Sequence, residues 1–209
     1  IYAPEEKAHQ LREDLRNLPD RYELGEDELE HDSEDSHSSA QHATPNFISG
    51  AEYDPNMVPV STVTYESKGA AISDPAILNS NSEQVNILHP GEKYFYRYQA
   101  RFDVDVAKLK FGMLIKTLKG VEISGYSAPA DELGLHDIRA GETILIKFPF
   151  TCSLNPGVYF LNAGLLKTGG DEEYLDRQLD AAMFRVEEKR DSNSTGTVSL
   201  VGPPVCEFL

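Results

Sequence analysis

Seven side chains between residues 97 and 185 combine the types that a sugar-binding surface needs. An exposed aromatic ring stacks on the C–H face of a sugar, and planar amide groups form paired hydrogen bonds with hydroxyls. Arginine additionally binds an anionic group such as a phosphate or an acidic sugar. We predict that the following residues lie on the outward faces of β-strands and form a carbohydrate-binding site: Arg97, Gln99, Arg101, Lys147, Phe160, Asn162 and Arg185.

The alternation of side chains along a strand places these residues on one face and predicts which residues on the other face form the core. In the run from Tyr94 to Phe102, the side chains of Tyr94, Tyr96 and Tyr98 share one face, which we predict to be buried. A cation on the opposite face is also typical of a solvated strand, and Phe160 could instead lie under a loop or at a dimer contact. Spacing alone does not show whether the strands that carry the seven residues are neighbours in one sheet.

Motifs for nucleophilic or phosphate chemistry are missing from the sequence. It contains no GxxxxGK(S/T) phosphate loop, no GxGxxG and no GxSxG. Carboxylates such as Asp103, Asp105 and Glu142 could in principle act as acid and base in glycoside hydrolysis. Nothing near them in the sequence is suited to raise a carboxylate pKa, so we predict solvated turns there and no enzyme activity.

The histidines and cysteines predict no metal site and no cofactor. Four of the six histidines lie in an acidic N-terminal segment, where a solvated charge run is favoured over a loose metal site because no fixed scaffold is evident. The two cysteines, Cys152 and Cys206, lack CxxC spacing. A disulfide between them stays open, but two unpaired thiols in a reducing compartment are the favoured interpretation.

The 209 residues carry a net charge of −16, most of it in the N-terminal part. Residues 1–55 hold 15 acidic and 4 basic residues, whereas residues 56–209 hold 20 and 15. This balance argues against binding to nucleic acid or to an anionic membrane, both of which reward clustered lysine and arginine. No run approaches about 18 consecutive apolar residues, so no membrane span is predicted.

The charge distribution predicts two parts, residues 1–55 and residues 56–209. Residues 5–18 have the periodicity of an amphipathic helix, which Pro19 ends. Residues 21–45 are rich in Asp, Glu, Ser and His and are predicted to form an acidic, flexible linker.

The body of the chain, from residue 56, predicts an all-β fold. Runs of β-branched and aromatic residues alternate with Pro-Gly and other glycine turns, which is typical of an antiparallel β-sandwich. Only Leu175–Leu179 has the pattern of a helical turn. The predicted strands are residues 60–65, 84–89, 94–103, 111–117, 121–126, 142–151, 158–166, 181–187 and 197–201.

An ordered set of short segments resembles a known family. The set begins with Glu92-Lys-Tyr-Phe-Tyr-Arg-Tyr-Gln-Ala-Arg-Phe-Asp103 and continues with Phe111-Gly-Met-Leu-Ile115 and Ala140-Gly-Glu142. It closes with Leu154-Asn-Pro-Gly-Val-Tyr-Phe160 and Asp180-Ala-Ala-Met-Phe-Arg-Val186. Together these resemble the C-terminal carbohydrate-binding domain of Wzt-type ATP-binding subunits, which belong to ABC transporters that export O-antigen polysaccharide. The resemblance covers roughly residues 56–201.

The resemblance implies a jelly-roll or immunoglobulin-like β-sandwich that recognises the modified non-reducing end of a finished glycan and selects it for export. It implies a homodimer, because the ATPase subunits of a transporter work in pairs. It also implies a place at the cytoplasmic face of the inner membrane, where a nucleotide-binding domain absent from this sequence would contact the membrane subunit. Residues 1–45 carry no motif of the family.

Two other functions stay open at this point. The sandwich could be a structural dimerisation domain whose outward arginines and Phe160 bind no sugar. It could, with less support, be a glycan-modifying enzyme that uses Asp103 or Glu142. The sequence does not select a particular sugar, a strand order, or whether the last predicted strand is exchanged with a partner.

Overall fold

The computed structural model describes residues 53–187 and 193–207, which fall within one unit, residues 51–209. The helix predicted over residues 5–18 and the linker predicted over residues 21–45 lie outside the described residues. The boundary predicted between residues 55 and 56 stays a prediction. Ten strands form two facing sheets, so the predicted all-β sandwich is confirmed. No helix within 53–187 or 193–207 has the length and apolar character to cross a membrane.

The first sheet, sheet A, has the strand order β1-β10-β9-β6-β7, and the short strand β4 pairs with β10. The β4–β10 pairing is parallel and the other pairings are antiparallel. Its strands are Val63–Thr64 (β1), Ile87–Leu88 (β4), Leu109–Thr117 (β6), Glu122–Pro129 (β7), Gly157–Lys167 (β9) and Glu173–Val186 (β10).

The second sheet, sheet B, has the order β3-β2-β5-β8 and is antiparallel throughout. Its strands are Ala70–Leu78 (β2), Gln84–Val85 (β3), Lys93–Phe102 (β5) and Thr143–Thr151 (β8). A three-residue 3-10 helix, Asp131–Leu133, follows β7.

The core forms between the two sheets, where the alternation rule predicts it. Strand β5 buries every second side chain, and the exposed fractions of Tyr94, Tyr96 and Tyr98 are 2%, 0% and 0%. Strand β8 packs the predicted residues from Ile144 to Phe150 against the same core. Each aromatic ring removed from water on this scale is a major contribution to the stability of the sandwich.

Several predicted strand limits are wrong, and local irregularities explain most of them. Strand β2 was not predicted, because Asp74-Pro75 interrupts its pattern; Asp74 has φ 52° and lies within an irregularity of the pairing with β5. Leu175–Leu179 is strand and not a helical turn, because β10 already begins at Glu173. The run 197–201 forms only an isolated bridge between Val198 and Leu154.

The remaining differences concern the limits of two further predicted strands, whereas the thiols are unpaired, as the favoured interpretation expects. The predicted strand over residues 60–65 contracts to Val63–Thr64, and the predicted strand over residues 84–89 is divided into β3 and β4. Both cysteines are free, Cys152 in the core and Cys206 on the surface.

Candidate functional site

The seven predicted site residues lie on opposite faces of the sandwich and do not form one site. Arg97, Gln99, Arg101 and Lys147 lie together on the outer face of sheet B, on the adjacent strands β5 and β8. Phe160, Asn162 and Arg185 belong to β9 and β10 of sheet A. The sequence could not reveal this division, because strand order is decided by pairing between distant segments.

Two cations face each other on the outer surface of sheet B. Arg97 is directly opposite Lys147 in the β5–β8 register. Directly opposed like charges destabilise a strand pair. Within residues 53–187 and 193–207 neither cation has an ion pair, and the buried Nε of Arg97 lacks a hydrogen bond.

The neighbouring polar groups on this face are already engaged. Gln99 Nε2 donates to Asp74 Oδ2 at 3.0 Å, and Arg101 Nη2 lies 3.1 Å from Asp103 Oδ1. This part of sheet B is therefore a polar strand surface with local partners and one unneutralised cation pair.

The prediction that Phe160 and Asn162 are exposed is wrong. Both face outward from sheet A, yet their exposed fractions are only 6% and 7%. The alternation rule assumes an outer face open to water, whereas this end of sheet A also carries the buried side chain of Lys116, directly opposite Phe160. Phe160 therefore presents no ring to a sugar in this conformation.

Arg185 is exposed, as predicted, but it lies apart from Asn162. It is opposite Val158 near the start of β9, and its Nη2 is 3.6 Å from Glu187 Oε1. An exposed pair of this length contributes little to stability.

Asn162 belongs to a buried polar network on the outer side of sheet A. Its Oδ1 accepts a hydrogen bond from the backbone N–H of Asp180 at 2.9 Å. The Asp180 carboxylate is paired with Lys116 Nζ at 2.5 Å and accepts a hydrogen bond from Ser61 Oγ at 2.7 Å. The Thr62 hydroxyl donates to the backbone carbonyl of Asp180 at 2.7 Å.

The backbone of β10 explains why this network forms. Asp180 has φ 51°, in the left-handed region, and it lies in a bulge where the pairing shifts from Gln178 opposite Ala163 to Ala182 opposite Leu161. Aspartate is one of the few residues that tolerate this conformation. The bulge directs the Asp180 N–H to Asn162, so the amide of Asn162 is held in one orientation.

Next to Asn162, the outer face of sheet A forms a groove of about 340 Å³ that crosses β10, β9, β6 and β7. Its floor is shallow because glycines replace side chains: Gly112 and Gly164 are directly opposite each other, and Gly125 lies on the adjacent strand. A Cβ atom on Gly112 would have 3.6 Å to its nearest neighbour, the carbonyl oxygen of Gly164. Glycine inside a strand often marks such a close approach of a ligand or backbone.

An aromatic ring and a guanidinium form one end of the groove. Tyr174 is 43% exposed, and its Cε1 would lie 3.1 Å from a Cβ placed on Gly164. The guanidinium of Arg177 lies 5.0 Å from the centre of the Tyr174 ring and 5.8 Å from that of Tyr65. Cation–π contacts at these distances hold the guanidinium in place without neutralising it.

The remaining polar lining comes from Lys110, Tyr126, Ser127 and Asn162. An exposed aromatic ring, a fixed guanidinium and an amide are the groups that bind a sugar ring and its substituents. Of the seven predicted site residues, only Asn162 lines this groove. Tyr174 and Arg177 were missed because the start of β10 was predicted as a helical turn; the paired glycines were the signal that could have revealed the groove.

The floor of the groove is connected to the core by Tyr98 of sheet B. Its hydroxyl lies 3.0 Å from the carbonyl oxygen of Gly112 and 3.3 Å from that of Gly164. Burial raises the pKa of Tyr98 well above its usual value, so the hydroxyl remains a donor. The core therefore holds the backbone of the glycine floor in place.

The carboxylates considered for catalysis are engaged in local contacts. Asp103 pairs with Arg101, and Glu142 Oε2 accepts a hydrogen bond from the Arg139 N–H at 2.9 Å. Hydrogen bonds from the Ala140 N–H and the Arg139 side chain lower the pKa of Asp105, the opposite of what a general acid needs. In the part of the chain that the structure describes, no three His, Cys, Asp or Glu side chains are grouped to hold a metal ion.

Comparison with known proteins identifies the family. The model of the Wzt C-terminal domain matches residues 61–200. A crystal structure of the C-terminal domain of Wzt is 22% identical with a TM-score of 0.61, covering 76% of this chain and 93% of that one.

More distant structures share less of the fold. A protein from Arabidopsis thaliana, solved in solution, is 11% identical over 60% of this chain and 86% of its own, with a TM-score of 0.37. A β-glucosidase from Erythrobacter marinus is 10% identical over 61% of this chain and 16% of its own, with a TM-score of 0.35. No curated protein matches the sequence. The family match covers most of the chain and the solved domain has the same fold, so the chain belongs to the Wzt C-terminal domain family.

Proposed function

We propose that this domain binds the modified non-reducing end of an O-antigen polysaccharide in the groove on the outer face of sheet A. Family membership supports a role in an O-antigen ABC transporter. The observation that carries the choice of site is the glycine floor beside Tyr174, Arg177 and Asn162. A finished chain would engage the groove and so be selected for export.

In this proposal the domain, a member of the Wzt C-terminal domain family, binds the polysaccharide and does not catalyse a reaction. The domain would work in a homodimer at the cytoplasmic face of the inner membrane. The polysaccharide would reach it there, and a nucleotide-binding domain would connect it to the membrane subunit. No nucleic acid partner is proposed, because the net charge of −16 opposes binding to phosphates.

The experiment that tests the site compares the two outer faces of the sandwich. Polysaccharide from the source organism, with and without its terminal modification, is titrated into the protein and followed by calorimetry. We expect Tyr174→Ala to weaken binding of the modified chain by roughly tenfold or more, since stacking on an aromatic ring is lost. The unmodified chain should bind more weakly to the unchanged protein.

The control is the double variant Arg97→Ala with Lys147→Ala on sheet B, which leaves the groove unchanged. Normal binding by this control supports the groove as the site. If the control loses binding while Tyr174→Ala keeps it, the glycan site is on sheet B instead. If the folded protein binds neither form of the polysaccharide, recognition by this domain is contradicted.

A second function, dimerisation without sugar binding, is favoured by one observation. Leu200, Val201 and Val205 near the C-terminal end of the described residues are 84%, 87% and 89% exposed. Such apolar side chains in one segment are typical of a contact surface. Sedimentation of a variant with all three replaced by serine tests this: a monomer that still binds polysaccharide separates dimerisation from recognition.

A further inference from the structure

The charged side chains that line the groove are both cations, Arg177 and Lys110, while the neutral hydroxyls of Tyr126, Ser127 and Tyr174 can donate or accept. Arg177 contributes a guanidinium that contacts two aromatic rings and, among the ion pairs of the described residues, takes part in none. Lys110 adds an ammonium group whose nearest carboxylate, Glu172, is 3.7 Å away and largely exposed. Within the described residues, the groove lining includes no Asp and no Glu, although the chain carries a net charge of −16.

The amide of Asn162 adds to this donor character. A backbone N–H can bond only to an acceptor, so the hydrogen bond from Asp180 N–H fixes which end of the amide is the oxygen. The oxygen is thereby directed to the β10 backbone, and the two N–H groups of Nδ2 are the donors that the side chain adds to the groove. Asp180, the nearest carboxylate in this network, is already paired with Lys116 and so does not cancel these donors.

These donors occupy neighbouring positions on one face. Arg177 is directly opposite Gly164, and Asn162 is two residues from Gly164 on the same side of β9. A neutral sugar hydroxyl carries no charge, and a site for it needs no cation. A lining whose charged groups are all cations, one of them a planar guanidinium, complements an oxyanion, which accepts several hydrogen bonds and pairs with arginine in a bidentate way.

We propose that the groove recognises a sugar that carries an oxyanion, a carboxylate or a phosphate ester, with the anionic group bound by Arg177 and Asn162 Nδ2. This inference rests on the proposed function, because it assigns the chemical class of the group that the groove selects. Tyr174 then stacks on the sugar ring that carries the anion.

The test uses three small sugar probes, inorganic phosphate as a fourth probe, and the 209-residue chain labelled with 15N. Methyl glucuronoside carries a carboxylate, glucose 6-phosphate carries a phosphate ester, and methyl glucoside is the neutral control. Titration followed by NMR reports on the amides of Gly112 and Gly164. We expect at least one anionic probe to shift these amides with roughly tenfold higher affinity than the neutral sugar, and to lose affinity as salt is added.

Two variants test the assigned residues. Arg177→Gln keeps much of the side-chain length and should abolish the preference for the anionic probes. Asn162→Asp keeps an acceptor for the Asp180 N–H but replaces the Nδ2 donors with a negative oxygen. It should lower the affinity for the anionic probes by tenfold or more. Amide spectra of the unbound variants show whether each one folds. If Asn162→Asp does not fold, Arg177→Gln tests the proposal by itself.

The outcomes separate this inference from the proposed function. Equal shifts from neutral and anionic sugars, unchanged by Arg177→Gln, overturn the oxyanion but leave glycan binding in the groove. Inorganic phosphate acting as strongly as glucose 6-phosphate overturns recognition of the sugar part. If no probe and no polysaccharide shifts these amides, the proposed function fails with the inference.

Discussion

At the scale of single residues, two adjacent tyrosines on β5 show how burial and hydrogen bonding act separately. Tyr96 and Tyr98 are both fully buried on the same face of the strand. The hydroxyl of Tyr98 reaches two backbone carbonyl oxygens of sheet A, whereas the hydroxyl of Tyr96 has no hydrogen-bond partner among the described residues. A buried polar group without a partner destabilises a fold, and the same group with a partner stabilises it modestly.

This contrast predicts opposite effects for two identical substitutions. Tyr98→Phe should lower the free energy of unfolding by about 1–2 kcal/mol, because it removes the one O–H group that the carbonyl oxygens of Gly112 and Gly164 share. Tyr96→Phe should leave stability unchanged or raise it, because only an unpartnered hydroxyl is removed. Urea denaturation at neutral pH measures both. Equal losses from the two substitutions would contradict the hydrogen bonds assigned to Tyr98.

At the scale of elements, β9 is the central strand of sheet A and contributes to the proposed binding groove. Both of its faces are buried over most of its length, so its outward residues depend on what covers them. Where β6 and β7 contribute Gly112 and Gly125, the outer face opens into the groove. Where β6 contributes Lys116, the outer face is closed.

Gly112 of β6 and Gly125 of β7 should therefore differ in how well they tolerate substitution by alanine. A Cβ on Gly125 would lie 2.8 Å from the carbonyl oxygen of Met113, and backbone cannot move away at low cost. We expect Gly125→Ala to destabilise the domain by about 1–3 kcal/mol. Gly112→Ala has room and should keep the stability of the unchanged protein, but its methyl group projects into the groove and should weaken glycan binding.

Thermal unfolding and calorimetry on the same two variants check this. The two glycines thus act as controls for each other, one for stability and one for binding. A stable Gly112→Ala variant that binds polysaccharide normally would argue against the glycine floor as the binding surface.

At the scale of the whole domain, the sheets are joined by polar side chains as well as by the apolar core. Asp176 and Gln178 of β10 reach across to β2, where Asp176 Oδ2 accepts from the Ile72 N–H at 2.6 Å. Gln178 Nε2 donates to the Ile72 carbonyl at 2.9 Å. Backbone groups of β2 that pair with no strand on this side are thereby satisfied across the sandwich.

This junction predicts a pH dependence whose sign follows from burial. Burial raises the pKa of Asp176 above its usual 3.8, against the effect of the hydrogen bonds from the Ile72 and Arg177 backbone. The folded state then binds the proton more tightly than the unfolded state, so the contribution of Asp176 to stability is greatest in acid. It is lost as the pH rises from about 3.8 through the folded-state pKa. Asp176→Asn should therefore become more stable relative to the unchanged protein as the pH increases over that range.

Asp105→Asn provides a control with the opposite sign. The pKa of Asp105 is lowered by the Ala140 N–H and by Arg139, so its contribution is present above the unfolded pKa and is lost in acid. Urea denaturation of both variants from pH 3 to pH 7 measures the two trends. Parallel trends in the two variants would contradict the burial of the Asp176 charge.

The sequence determined the class of fold, because alternation is a local property of a strand. The buried tyrosines of β5, the inward face of β8 and most strand positions follow from the spacing of apolar residues. The family could also be inferred from short ordered segments, since these record which turns and strands follow one another.

Only the tertiary structure decided where the candidate site lies. Strand pairing between distant segments placed Arg97 and Asn162 on opposite faces, and no spacing along the chain contains that information. The burial of Phe160 depends on what covers its strand, and the groove depends on Gly112 meeting Gly164 across two strands that are about 50 residues apart. The alternation of a strand gives its two faces, whereas the solvent exposure of a face is set by the strands and side chains packed around it.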